Sequence, residues 1–155
     1  MPVIEKKPQK PTKKSVYQVR ETDHGTWKIH FDGRGKRFRE FRSHAELFDL
    51  PLIHLVSGIN PETQKRGTAH GIVAIGNNAK GFVAIGQFCQ GYFSFGQFAS
   101  ARILSIGQFA IAPLAIGQMS LAVFGLGQIG FSLSGIYQLG ATVAGGIGQV
   151  IFSVF

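Results

Sequence analysis

From Gly71 to Phe155 the chain is a repeat, and the period of that repeat restricts its fold more than any other property. Aligned on one amide per unit, Asn77, Gln87, Gln97, Gln108, Gln118, Gln128, Gln138 and Gln149 follow one another at steps of 10, 10, 11, 10, 10, 10 and 11 residues. Glycine precedes the amide at 76, 86, 96, 107, 117, 127 and 148, and Tyr137 is the one exception. Two positions before the amide stands a large apolar residue every time: Ile75, Ile85, Phe95, Ile106, Ile116, Leu126, Ile136 and Ile147. The position after it holds Asn78, then Phe88, Phe98, Phe109, Met119, Ile129, Leu139 and Val150.

Helices do not explain this period. A helical residue turns by about 100°, so each ten-residue step would leave the amide about 80° out of line and mark no face. The glycines also recur at five, not at the four of a helix-packing motif. Stacked β rungs of equal length place equivalent residues directly above one another. The repeat is therefore expected to be a β-solenoid, behind a small α+β or β-hairpin unit, in a chain that is mainly β. Each decad divides further into two pentads, such as Gly81-Phe82-Val83-Ala84-Ile85 and Gly86-Gln87-Phe88-Cys89-Gln90.

This pentad order, small, variable or amide, large apolar, small, variable, resembles that of the pentapeptide-repeat family over about half of the chain. The resemblance implies a right-handed β-helix in which four pentads make one square coil, so each decad is a half-coil. It implies inward side chains at Phe88, Phe98, Phe109, Met119, Ile129 and Leu139, with Val83, Phe93, Leu104, Leu114 and Phe124 on the opposite walls. Gly86, Gly96, Gly107 and Gly117 would take the remaining inward sites. The chain departs from the family where outward residues should be polar, since Ile85, Phe95, Ile106, Ile116 and Leu126 would point out. More loosely, the lead-in Pro51-Leu52-Ile53-His54-Leu55, running on to Asn60-Pro61-Glu62-Thr63 and followed by Ala-Ile-Gly repeats, is similar to a Gly-rich bacterial repeat family. That likeness implies no activity.

Charge is divided very unevenly. All eight acids and fourteen of the sixteen Lys/Arg residues lie in 1–70, leaving that segment at +6, and nothing from Ile103 onward is charged. A soluble surface needs roughly a quarter of its residues charged, mixed in sign. The column three residues after the amide also loses polarity along the chain, from Lys80, Gln90 and Ser100 to Ile111, Leu121 and Phe131. These features predict a non-enzymatic structural or scaffolding protein whose repeat, 68–155, is inserted in the bacterial inner membrane. Ile106, Ile111, Ile116, Leu121, Leu126 and Phe131 are its expected lipid- or oligomer-facing residues. Lys65, Arg66, Lys80 and Arg102 would contact anionic headgroups, and the amides would form a hydrogen-bonded ladder whose facing the sequence leaves open. The basic N-terminal part would stay in the cytoplasm. With half-coils, the uncharged part is only about 13 Å tall, so its end is expected to meet another copy in a homo-oligomer. The alternative is a soluble solenoid that polymerises through its apolar walls.

Ahead of the repeat, 1–15 reads as a basic, Pro-containing tail and 16–67 as a small basic domain. Two alternating runs, Trp27–Phe31 and Lys36–Phe41, flank Asp32-Gly33-Arg34-Gly35 and predict a hairpin. Ser43-His44-Ala45-Glu46 has the form of a capping box and predicts a short helix that Pro51 limits. Leu50–Val56 reads as a buried strand, and Lys65-Arg66 as the border of the repeat. No catalytic, cofactor or metal pattern emerges: the five histidines are scattered, and Cys89 reads as a small buried residue. Nucleic-acid binding through the basic, aromatic 16–42 segment is a third and less favoured class.

Overall fold

A computed structural model describes residues 17–31, 37–60 and 63–153. The tail expected at 1–15, the Asp32–Gly35 turn and the Pro61-Glu62 pair lie outside the described residues. The chain is mainly β, with no helix among those residues.

β1 (Tyr17–Thr22), β2 (Gly25–Phe31) and β3 (Arg37–Ser43) form an antiparallel meander. The two alternating runs do pair, His30 opposite Phe38 and Lys28 opposite Glu40. Phe38 enters an apolar cluster with Val56, Ala69 and Ala74, and Trp27 packs on Phe41 with ring centroids 4.8 Å apart.

The expected helix after Ser43 is absent. β4 (Glu46–Leu47) and β5 (Leu50–Pro51) make a minimal hairpin there instead. Its two turn residues, Phe48 (φ 54°) and Asp49 (φ 60°), have the positive φ values that a type I′ turn requires. Ser43 Oγ donates to Ala45 O at 2.9 Å and accepts from Ile53 N at 3.0 Å, so it binds strand backbone and caps nothing.

β6 (Ile53–Ser57) pairs antiparallel with β3 and parallel with the start of β7 (Thr68–Ser153), Ile53 opposite Val73 and Val56 opposite Gly76. The sheet order is β1-β2-β3-β6-β7.

β7 is 86 residues of uninterrupted extended backbone. On a straight strand, residues ten apart would lie about 33 Å apart. Instead the Phe88 and Phe98 ring centroids are 5.0 Å apart and 6° from parallel, and those of Phe98 and Phe109 are 4.9 Å apart and 8° from parallel. Phe82 and Tyr92 approach to 5.1 Å. The backbone thus returns to the same place every ten or eleven residues, one strand spacing further on. Each such step, here called a rung, is complete in itself. The expected half-coil is corrected: in a twenty-residue coil these rings would lie on opposite sides.

The inward residues are corrected too. Burial falls at Ala69, Ala74, Ala79, Ala84, Cys89, Ser94 and Ala99, and after the eleven-residue step at Ser105, Ala110, Ala115 and Ser120. Ala112, Ser132 and Thr142 are buried as well, so each ten-residue rung offers four inward positions, filled mostly by small side chains and glycines. Phe88, Phe98, Phe109, Met119, Ile129 and Leu139 are exposed, as are Leu114 and Phe124, while Val83, Phe93 and Leu104 are half-buried. The reason is width: a rung of ten residues folds into two short stretches too close for large side chains between them. At Gly86, Gly96, Gly107, Gly117 and Gly127 an added methyl would strike the carbonyl oxygen of the glycine one rung earlier. These positions are closed to any other residue unless the backbone shifts.

Tyr137 breaks the rule and shows how it is compensated. Its side chain is only 2 % exposed, and it fills the interior where Gly125, Gly130, Gly135 and Gly140 each leave out a methyl that would overlap it. Ser120 Oγ donates to Tyr137 Oη at 3.1 Å. In the second eleven-residue step the extra residue coincides with Gly145, whose φ of 125° few other residues adopt.

Candidate functional site

The surface of β7 follows from the burial pattern. Each rung reads in-out-out-in-out twice, so two outward pairs mark its edges and two single outward residues mark its faces. Ile106, Ile116 and Leu126 stand on one face and Ile111, Leu121 and Phe131 on the other, half a rung away. All six are exposed, Phe131 by 56 %.

Grooves run between these ridges over small-residue floors. One, of about 700 Å³, lies between Phe88-Phe98-Phe109 and Lys80-Gln90-Ser100-Ile111, floored by Ala79, Cys89 and Ala99. Another, of about 530 Å³, has Leu114 and Phe124 on one wall and Ile116, Leu126 and Ile136 on the other.

The amide column faces outward. Asn77 and Gln87 are half-buried, and Gln97, Gln108, Gln118, Gln128, Gln138 and Gln149 are exposed. Gln87 Oε1 accepts a hydrogen bond from Arg66 Nη1 at 2.8 Å. Among the described residues no hydrogen bond joins one amide to the next, so the expected ladder is not formed within the chain.

Lys65, Arg66, Lys80 and Arg102 are all exposed, and the Arg102 guanidinium lies 5.5 Å from the centroid of the Tyr92 ring. They gather at the β6 end of β7. Five rungs follow Arg102, from Gln108 to Gln149, and at about 4.8 Å each they make an uncharged length of about 24 Å. The 13 Å drawn from half-coils is corrected accordingly.

The junction between the meander and β7 carries a polar contact that the sequence did not reveal. His54 Nδ1 lies 2.9 Å from His70 N and 3.1 Å from His70 O, and His54 Nε2 is hydrogen-bonded to Glu40 Oε1 at 3.2 Å. That hydrogen bond from His54 holds the Glu40 carboxyl below its usual range, against partial burial, with help from the nearby charges of Lys28, His54 and Arg42. Glu40 and His54 are fourteen residues apart, and only the β3–β6 pairing makes them neighbours.

Among the described residues no three His, Cys, Asp or Glu side chains converge as metal ligands. No helix there is long and apolar enough to cross a membrane, a statement about helices alone. Compared with protein-family models, curated proteins and solved structures, the chain matches none.

Proposed function

We propose that the chain is a non-enzymatic structural or scaffolding protein of the bacterial inner membrane. In this reading residues 68–153 form a β-solenoid of ten-residue coils embedded in lipid, and the meander stays on the cytoplasmic side. One observation carries it. The repeat is inside-out: its interior is Ala, Ser and Gly with Cys89, Thr142 and Tyr137, while Ile, Leu, Phe and Met stand outside on both faces and both edges.

A buried methyl stabilises by only about 0.8 kcal/mol in water, so a core of alanines and glycines gives little hydrophobic driving force. Large side chains exposed all round find their apolar surroundings in hydrocarbon. Stacked coils also satisfy backbone N–H and C=O groups internally, which lipid demands. The basic residues at the β6 end suit anionic headgroups, and about 24 Å of uncharged length approaches the roughly 30 Å of the hydrocarbon core.

The test is fractionation of the expressed full chain followed by flotation with vesicles of zwitterionic and anionic phospholipids. Protein that floats with vesicles and is released by detergent alone supports the reading. Protein that pellets as detergent-insensitive fibres favours the soluble, self-assembling alternative instead.

A further inference from the structure

Between residues 103 and 153, one outward column is not apolar. Gln108, Gln118, Gln128 and Gln138 stand exposed along a single edge of the rungs, and among the described residues none of the four carboxamides has a hydrogen-bond partner. Water would hydrate such a stripe at no cost. Hydrocarbon supplies no partner, so in the membrane reading, on which this inference rests, the stripe is the least tolerable part of the surface.

We infer that the amide stripe is the interface between two copies of this chain lying side by side in the membrane. A ladder from rung to rung within one chain would use the carbonyl and one N–H of each amide, leaving the second N–H unpaired. A facing stripe supplies the missing acceptor. Two copies inserted from the same side and related by a twofold axis along the membrane normal present identical residues at identical heights, Gln118 opposite Gln118. The rung spacing is common to both, so register matched at one amide is matched at all. No charge on either copy opposes the approach, since the sequence has none beyond Arg102. On one flank of the stripe stand Ile106, Ile116 and Leu126, beyond the inward Gly107, Gly117 and Gly127. Phe109, Met119 and Ile129 form an apolar border on the other.

The experiment uses the full chain with Cys89→Ala and one new cysteine, reconstituted in phospholipid vesicles and oxidised with copper-phenanthroline. Gln118→Cys and Gln128→Cys probe the stripe; Val123→Cys and Leu133→Cys probe the opposite edge. Flotation is read in the same tubes, and circular dichroism checks the fold of each variant. The expected result is a disulfide-linked dimer from both stripe variants and its loss at the opposite edge. In the Gln128→Cys chain, adding Gln108→Leu and Gln118→Leu should abolish the dimer while flotation persists. Protein that floats but yields no dimer, or yields it equally from both edges, or keeps it after the leucine replacements, overturns the interface and leaves the membrane reading standing. Protein that stays out of the vesicles overturns both.

Discussion

Tyr137 and the four glycines around it act as one unit, although the residues span 125 to 140. Replacing Tyr137 with Ala should destabilise the protein by about 3–5 kcal/mol, the usual cost of emptying a buried aromatic site. Gly130→Ala should cost about 1–3 kcal/mol by forcing a methyl into the same ring. Thermal melts followed by β-type circular dichroism check both, and equal stability of either variant with the parent would refute the packing. The exception at 137 is plain in the sequence, and so is the change from Ala and Ser to Gly in the columns around it. Their connection is not, because it appears only once residues ten apart are known to stack. The Glu40–His54 contact gives a prediction of opposite character. A carboxyl held below its usual range contributes stability that is present above the unfolded value and is lost as pH falls through the folded one. Acid should therefore weaken the parent more than it weakens Glu40→Gln as pH falls below the ordinary glutamate value of about 4.5, as melts in that acid range will read.

Among the elements, the β4–β5 hairpin is where local reasoning misled. Ser43 and Glu46 have helix-start spacing, yet Ser43 is already engaged by Ile53, ten residues on, and tertiary pairing overrides the local signal. The turn it leads to is strained, since Phe48 and Asp49 both hold left-handed backbone, at about 1–2 kcal/mol each for ordinary residues. Asn-Gly at 48–49 should raise the melting temperature by relieving about 1 kcal/mol or more of that strain; no rise would mean that the turn differs from the one described. For β7 the sequence revealed the period and the strand character but not the facing. Most pentads hold both small and large apolar residues, and periodicity alone does not say which point in. Large-inward is the rule for soluble cores, and it fails at Phe88 and Leu139 because so short a rung has room for small side chains, Tyr137 entering where four glycines make way.

For the molecule as a whole, the column from Lys80 through Gln90 to Phe131 sets a gradient of polarity. Leu121 and Phe131 lie about three and four rungs beyond Gln90, or about 14 and 19 Å along the stack. In the proposed membrane setting, Leu121→Lys or Phe131→Lys should abolish vesicle flotation, at a cost of about 2–4 kcal/mol for a charge deep in the lipid face. Gln90→Lys, close to Lys80 and Arg102, should leave flotation unchanged. Equal losses at Gln90 and Phe131 would show that the gradient has no bearing on insertion. The complete ten-residue rung also has a consequence for how such a gene changes. Duplicating or deleting one ten-codon unit, such as 119–128, lengthens or shortens the stack by about 4.8 Å and returns every later side chain to its own column. A five-codon change would instead move the amides to the opposite edge. Membranes differ by a few ångströms in thickness, and recombination between neighbouring units offers descendants of this gene a way to follow them, one strand at a time, without inventing a new fold.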